Sequence, residues 1–389
     1  MYINHLERLN NRDKILSIMH KYHELTKFEL AQKTNISIPT VTSNVKKLMK
    51  EGLIDESGVA TSTGGRKPKI NRIIPNSRFS IGVDITPTKL KIIVIDLCFN
   101  VKKKEEFLLD QFKIANDLHQ VIVKVAEEIH KILTNLMIPL SKITGICLAV
   151  PGTVNRENYM LELAPNLGIK EFSLKFLRDI FSFPIYIENE ANAGAFGEMI
   201  LGHRKHEPED QIVYVSITEG IGTSIITKEG FFKGNKERAG EFGHMHIGIT
   251  DKPCKCGRIG CWELFSSETT FLDMYKKAKG ITVASIDEIV QQYVAKDKET
   301  RDVVSQYLNN LALGLQNILL AIDPKTIIIG GELARYSEHF IEELRNLVFS
   351  KSVFHSEKDV EIMFSNLDME ASLLGAAVTP FKKLFISDS

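Results

Sequence analysis

Residues 240–263 read Gly-Glu-Phe-Gly-His-Met-His-Ile-Gly-Ile-Thr-Asp-Lys-Pro-Cys-Lys-Cys-Gly-Arg-Ile-Gly-Cys-Trp-Glu. Cys254, Cys256 and Cys261 crowd into this short stretch with histidines upstream. Three thiolates and one imidazole make a typical closed structural zinc site. Gly257 and Gly260 let the loop turn tightly enough to aim three sulfurs at one point. His244 is taken as the fourth ligand in preference to His246. The alternative, three buried cysteines without a metal, would leave reactive thiols clustered to no purpose. The other two cysteines, Cys98 and Cys147, fall in apolar strands, so no disulfide framework is expected and a reducing, cytoplasmic location fits best.

A second constellation lies near the start. Ser37 is a good helix N-cap, and Pro39 is tolerated in the first turn because its missing N–H would be unpaired there. Val41, Val45 and Leu48 recur at four and three and bury one face. Ser37, Thr40, Thr42, Ser43, Asn44, Lys46 and Lys47 remain for the other, short polar and basic groups of the kind that reach base edges and phosphates. A preceding amphipathic helix over 12–22, with Ile15, Ile18, Met19 and Tyr22 on one face, and another beginning after Thr26 complete a helix-turn-helix. A wing is expected next: Leu53-Ile54 and Val59-Ala60 as a β-ribbon around Gly58, then the basic tip Thr63–Pro68, whose Arg66 and Lys67 suit a minor groove or the phosphate backbone.

Charge supports a division of labour. The 389 residues hold 49 Lys+Arg and 49 Asp+Glu, a formal net charge of zero. Residues 1–72 carry 13 bases and 7 acids, or +6, which leaves −6 for the remainder. Such asymmetry points to a basic nucleic-acid reader attached to something else. No apolar h-region with a small-residue cleavage site opens the chain, so no secretory peptide is expected. The longest uncharged run, 303–322, steps its apolar residues by three and four, as a core helix does and a membrane span does not.

From Arg78 the texture becomes that of an α/β body. Strands are expected over 79–84, 90–97, 105–109 and 143–150, with a helix across 118–133 and a Pro151-Gly152 turn. Roughly the same order recurs at 211–218, 223–227 and 326–329. Strands alternating with helices argue α/β architecture, and two similar halves argue two lobes with a ligand cleft between them. The expected domains are a winged helix-turn-helix over 1–73 and a two-lobed body over 78–389.

The stretch Glu241–Glu263, with Glu188-Asn189-Glu190-Ala191-Asn192-Ala193, resembles the repressor–ORF–kinase (ROK) family. Ala149–Gly152, Ala164–Leu167, Asp323-Pro324 and Leu374–Ala377 extend the resemblance over essentially the whole chain. Within the family the likeness is greatest to xylose repressors. The resemblance implies an actin/hexokinase-like (ribonuclease H-like) two-lobed body and either sugar kinase or sugar-responsive repressor activity. It also implies a monosaccharide held by Asn189, Glu190, Glu241, His244 and Glu263, with Gly152 and Asn166 nearby. The chemistry stands independently: sugar hydroxyls donate to carboxylates and accept from amide or imidazole N–H groups. His244 would serve both metal and sugar, which makes the zinc a support for the pocket.

The alternative, an ATP-dependent glucokinase-like enzyme, meets three departures. Glu190 stands where the kinases of the family place an aspartate base, and the extra methylene moves the carboxylate by about 1 Å, a shift that can cost about 10²-fold. The phosphate loop after Asp84 reads Ile85-Thr86-Pro87-Thr88 rather than a glycine-rich turn, and proline supplies no N–H. The second phosphate turn carries Glu219, whose carboxylate repels a triphosphate. The expectation is therefore a non-enzymatic sensor: a repressor that binds a palindromic operator as a homodimer or higher homo-oligomer, changes half-site geometry when a sugar binds, and has no catalytic residues.

Overall fold

The computed structural model describes residues 10–59, 69–109, 114–202, 210–283, 285–350 and 352–385. The first helix, Asn11–Tyr22, starts where the Asn10 side chain accepts from Asp13 N. It buries Ile15, Leu16, Ile18 and Met19, while Tyr22 turns outward, 42% exposed, under the Lys33 ammonium. Thr26 and Glu29 form a reciprocal capping box at the head of Lys27–Thr34. Asn35 adopts the left-handed conformation that reverses the chain before Ser37 caps Ile38–Lys50. Val41, Val45 and Leu48 are fully buried. Ser37, Ser43, Lys46 and Lys47 are exposed and Thr40 and Thr42 half-buried. Asn44 departs from the expected outer face: it is buried, and its Nδ2 donates 2.9 Å to Thr40 O. One of its amide N–H groups is thus used within the helix.

The wing is also built differently from its sequence expectation. The strand Ile54–Val59 pairs antiparallel with Lys69–Ile73, and Glu24–Thr26 adds to the far edge of the latter. Val59 therefore lies in the same strand as Ile54 instead of returning against it. Gly58 marks a bulge in one long strand rather than a turn. Arg66 and Lys67 lie outside the described residues.

Two compact units are present. The first holds the winged helix, the described residues up to Ala149, 175–187 and those from Ala376 on. Its main sheet has the order 185–189, 143–150, 79–85, 89–96, 101–108. The strand Phe79–Ile85 runs parallel to Ile143–Val150 and antiparallel to Lys89–Asp96, which pairs antiparallel with Val101–Leu108. Cys147 is buried in this sheet, whereas Cys98 sits in the turn just past a strand, half-buried, its thiol pushed up to about 11 by burial and by Asp96.

The second unit comprises residues 150–174 and 188–375. Its sheet has the order 361–364, 326–331, 212–217, 221–227, 230–231. Ile212–Ile217 is parallel to Thr326–Gly331 and antiparallel to Ile221–Thr227, so the strand pattern of the first sheet repeats here. The apolar run expected to be a core helix lies in Lys298–Ile322, and Val304, Leu308, Leu311, Leu315 and Ile318 are fully buried. Among the described residues no helix is long and apolar enough to cross a membrane.

Within the first unit the winged helix is fastened to the sheet and to the C-terminal helix Lys382–Phe385. Arg12 Nη1 donates 3.1 Å to Leu384 O. The His20 ring packs 4.3 Å from the Phe99 ring and 5.1 Å from that of Phe385. Burial, reinforced by His23 and opposed by the Leu97 backbone and Asp96, lowers the His20 pKa to about 4. Below about pH 6.5 the unfolded chain takes up a proton that folded His20 refuses until about pH 4, so stability is lost as pH falls through that window. Urea denaturation at pH 7 and pH 5 should show wild type losing about 2 kcal/mol more than His20→Gln on acidification. Equal losses would remove His20 as the cause.

Candidate functional site

The turn at Cys254–Glu263 is positioned by its one aromatic residue. Trp262 is fully buried, its Nε1 donates 3.2 Å to Asn310 O, and its indole fills the space that a methyl at Gly314 would overlap. With Trp262 sunk into the long helix, its neighbours Cys261 and Glu263 are held beside it. Gly260, at φ +73°, makes the turn that brings Cys261 back toward Cys254 and Cys256.

The result is a four-residue cluster. The ligand atoms of His244, Cys254, Cys256 and Cys261 all lie within 4.8 Å of one another. Cys256 Sγ is 3.7 Å from Cys261 Sγ, and His244 Nδ1 is 3.6 Å from Cys254 Sγ. A zinc ion with Zn–S bonds of about 2.3 Å in a tetrahedron sets sulfurs about 3.8 Å apart, so the donor set and spacing fit that metal. His246 is outside the cluster, its Nδ1 3.2 Å from Ile259 O. Burial and the contact with Glu263 hold the Cys254 thiol well above its ordinary range, and burial does the same for Cys261. A divalent cation supplies what is needed to draw those protons off.

Glu263 ties this cluster to the residues expected to meet a sugar. Its side chain is buried at the start of the short helix Glu263–Ser266. One oxygen accepts 2.8 Å from Cys254 Sγ and lies 3.5 Å from His244 Nδ1. The other faces Gly220: a Cβ added there would stand 2.8 Å both from it and from Asn166 Nδ2. Glu263, Asn166 and the Gly220 turn thus converge.

A cavity in the same unit is lined by Gly152, Arg156, Glu188, Asn189, Asn192 and Glu241, with residues of the segment 232–239. Gly152 is at φ +102° and packs its bare Cα against Leu163 and Ala164. Burial raises the Glu241 carboxyl pKa; His244 opposes the shift and Glu263 adds to it. Glu190 opens the helix Glu190–Leu201, one of its carboxylate oxygens 2.6 Å from where a Cβ on Gly222 would be, and Gly222 lines the cavity. Of the seven sugar-site residues expected from sequence, Gly152, Asn189 and Glu241 line the cavity directly. Glu190 reaches it at Gly222, Asn166 and Glu263 meet at Gly220, and His244 joins the metal cluster.

Asn189 is more committed than its sequence context implies. Its Oδ1 accepts from Ala191 N at 2.9 Å and Asn192 N at 3.1 Å, capping the helix, and its Nδ2 donates 2.9 Å to Gly152 O. One N–H is left for a ligand. Asn192, at the end of the quoted motif, accepts 2.7 Å from Ser224 Oγ and donates 3.3 Å to Glu188. Arg156, Lys233 and Glu237 were missed by sequence reasoning. They sit in ordinary polar turns, and nothing in residue type or spacing marks them.

The turn after Asp84 has no spare donors. Thr86 N donates to Lys89 O at 2.9 Å, Pro87 has no N–H, and Thr88 N and Lys89 N donate to Thr86 Oγ1 at 3.4 and 3.0 Å. Lys91, buried, stands directly opposite buried Asp84 in the antiparallel pair.

Such a body, with a winged helix ahead of it, defines a class of protein. The model of the ROK family matches residues 80–381 and a winged helix-turn-helix DNA-binding model matches residues 9–55. The chain belongs to the ROK family. It is 30% identical over 369 residues to the xylose repressor of Bacillus spizizenii, covering 94% of this chain and 93% of that one. It is 21% identical to the transcriptional dual regulator NagC of Escherichia coli, covering 93% and 90%. Its fold matches a ROK family transcriptional regulator, a homologue of the E. coli MLC protein, with a TM-score of 0.78, 20% identity and 96% of each chain covered. A ROK family glucokinase from Streptomyces griseus matches with a TM-score of 0.63 and 22% identity, over 77% of this chain and 98% of that one.

The Asn189 cap can be tested alone. Asn189→Ala should lower unfolding free energy in urea by about 1–2 kcal/mol, and Asn189→Ser, which keeps a neutral capping oxygen, should recover part of it. Equal losses in both variants would remove the cap as the cause.

Proposed function

We propose that this protein is a sugar-responsive transcriptional repressor whose 1–73 segment reads operator DNA and whose 78–389 body senses a neutral monosaccharide, with xylose the first candidate. The observation that carries the reading is the joining, in one chain, of a recognition helix with Lys46 and Lys47 exposed to a cavity walled by carboxylates. Ser43, Thr40, Thr42 and Ser37 flank those lysines, with Asn44 turned inward. Sugar hydroxyls would donate to Glu241, Glu190 and Glu263 and accept from the free N–H of Asn189 and from Asn166, near Gly152. The protein would act as a homodimer on two half-sites, in the cytoplasm. A ligand shifts the DNA-binding equilibrium only by its differential affinity for the two forms.

Kinase chemistry is disfavoured by the same accounting. A nucleotide phosphate needs free backbone donors, and the Thr86–Lys89 turn spends every one it has on Thr86 Oγ1 and Lys89 O. The purified protein should therefore gain melting temperature with D-xylose or a related neutral sugar. With the same sugar it should release duplex DNA selected from a random pool, and release no ADP from MgATP. A sugar that saturates the protein without altering DNA affinity overturns the inducer reading. Steady ADP release overturns the non-enzymatic one.

Zinc, held by His244, Cys254, Cys256 and Cys261, would fix the loop that carries Glu263 and so support the sugar site from behind. Elemental analysis should find one zinc per chain in wild type and markedly less in Cys256→Ser, with sugar affinity falling alongside. Full sugar affinity in metal-free protein would separate the two sites.

A further inference from the structure

One donor on the cavity wall has no acceptor. Arg156 projects from the hairpin formed by Thr153–Asn155 and Met160–Ala164, and its Nε is buried without a hydrogen-bond partner in the structure described. The two ends of the guanidinium are engaged. Nη2 donates to Glu188, and Nη1 lies 3.6 Å from Glu237. Glu188 also accepts from Asn189 N at 3.0 Å and Asn192 Nδ2 at 3.3 Å, so it is anchored to the helix head beneath the cavity. Arg156 is thereby held in place with Nε–H left over.

The same charges draw the segment above the cavity onto the hairpin. Glu237 pairs with Arg156 and also with Lys233 at 3.3 Å, while Arg238 crosses back to Glu162 at 3.0 Å. Two oppositely directed ion pairs therefore join the 232–240 segment to the hairpin, with Arg156 at the cavity end. A buried, unpaired N–H is costly until an acceptor arrives. The cavity wall holds three carboxylates, Glu188, Glu237 and Glu241, against two cations, Arg156 and Lys233. That balance disfavours an anionic acceptor and favours the oxygen of a neutral polyol.

We infer that Arg156 is a specificity-determining residue of the sugar site, whose Nε–H is taken up by one oxygen of a neutral monosaccharide. The inference rests on the sugar-sensing reading above and names a residue that recognises one oxygen of the ligand. A site built to donate to a substrate oxygen rejects analogues that lack it, because the buried donor is left unpaired.

Calorimetric titration of the full-length protein tests this, with D-xylose and D-glucose as probes, then the monodeoxy analogues of whichever binds tighter, and D-glucose 6-phosphate as the anionic probe. Arg156→Lys keeps a charge for Glu188 but has no Nε–H. It should melt somewhat below wild type without sugar, because one ammonium cannot span both Glu188 and Glu237, and it should bind the neutral sugar about 10- to 100-fold more weakly, with the loss confined to one ligand hydroxyl. One deoxy analogue should lose a similar factor against wild type and nothing further against Arg156→Lys. Arg156→Met, which removes every donor of the side chain, should lose at least as much affinity as Arg156→Lys; should it fail to fold, Arg156→Lys carries the comparison. Wild-type affinity in Arg156→Lys, or a further loss with every deoxy analogue, overturns the assignment of Arg156 alone. Tighter binding of D-glucose 6-phosphate than of either neutral sugar overturns the neutral class. A wild-type protein that binds neither sugar overturns the sugar-sensing reading and this inference with it.

Discussion

The burial of Trp262 is the constraint on which the site depends. An indole seated where Gly314 has no side chain, with its N–H donated to Asn310 O, removes all freedom from the residues on either side. Cys261 then faces Cys256, and Glu263 reaches between Cys254 and the Gly220 turn. The four-residue cluster and the convergence of Glu263, Asn166 and Gly220 therefore hang from the same buried indole. A buried aromatic supplies the apolar area that a short, glycine-rich loop cannot provide for itself.

The second theme is the accounting of donors and acceptors. Around the cavity, carboxylates and amides are used in part by the protein: Asn189 caps a helix, Asn192 joins Glu188 to Ser224, and Glu188 holds Arg156. What remains includes one N–H of Asn189 and the Nε–H of Arg156, the donors on which the proposed sugar binding draws. At the turn after Asp84 the balance is closed, with no N–H left over for a phosphate.

Much of this is legible in the amino-acid sequence. The capping residues Thr26 and Ser37, the four-and-three spacing of Val41, Val45 and Leu48, and the long helix ending at Ile322 followed from local rules that the tertiary context did not override. The choice of His244 over His246 agrees with the cluster observed. The wing did not follow: its strands are separated by the stretch that carries the basic tip, and pairing across such an interval leaves no short-range signature. Asn44 was misplaced because helical periodicity gives an angle, and a residue near the boundary of the buried face can hydrogen-bond back to its own helix and turn inward.

By itself the sequence determined the capped helices of the N-terminal module, the long core helix, the metal-type ligand set and the family, because each is written in residue types at fixed short spacings. Only the tertiary structure decided which polar groups remain available. Arg156 and Glu237 are 81 positions apart in the chain and ordinary in their surroundings, yet they meet at one cavity wall with a buried N–H to spare. Availability is what is left after every neighbour in space has taken its hydrogen bonds, and neighbours in space are fixed by packing rather than by order along the chain.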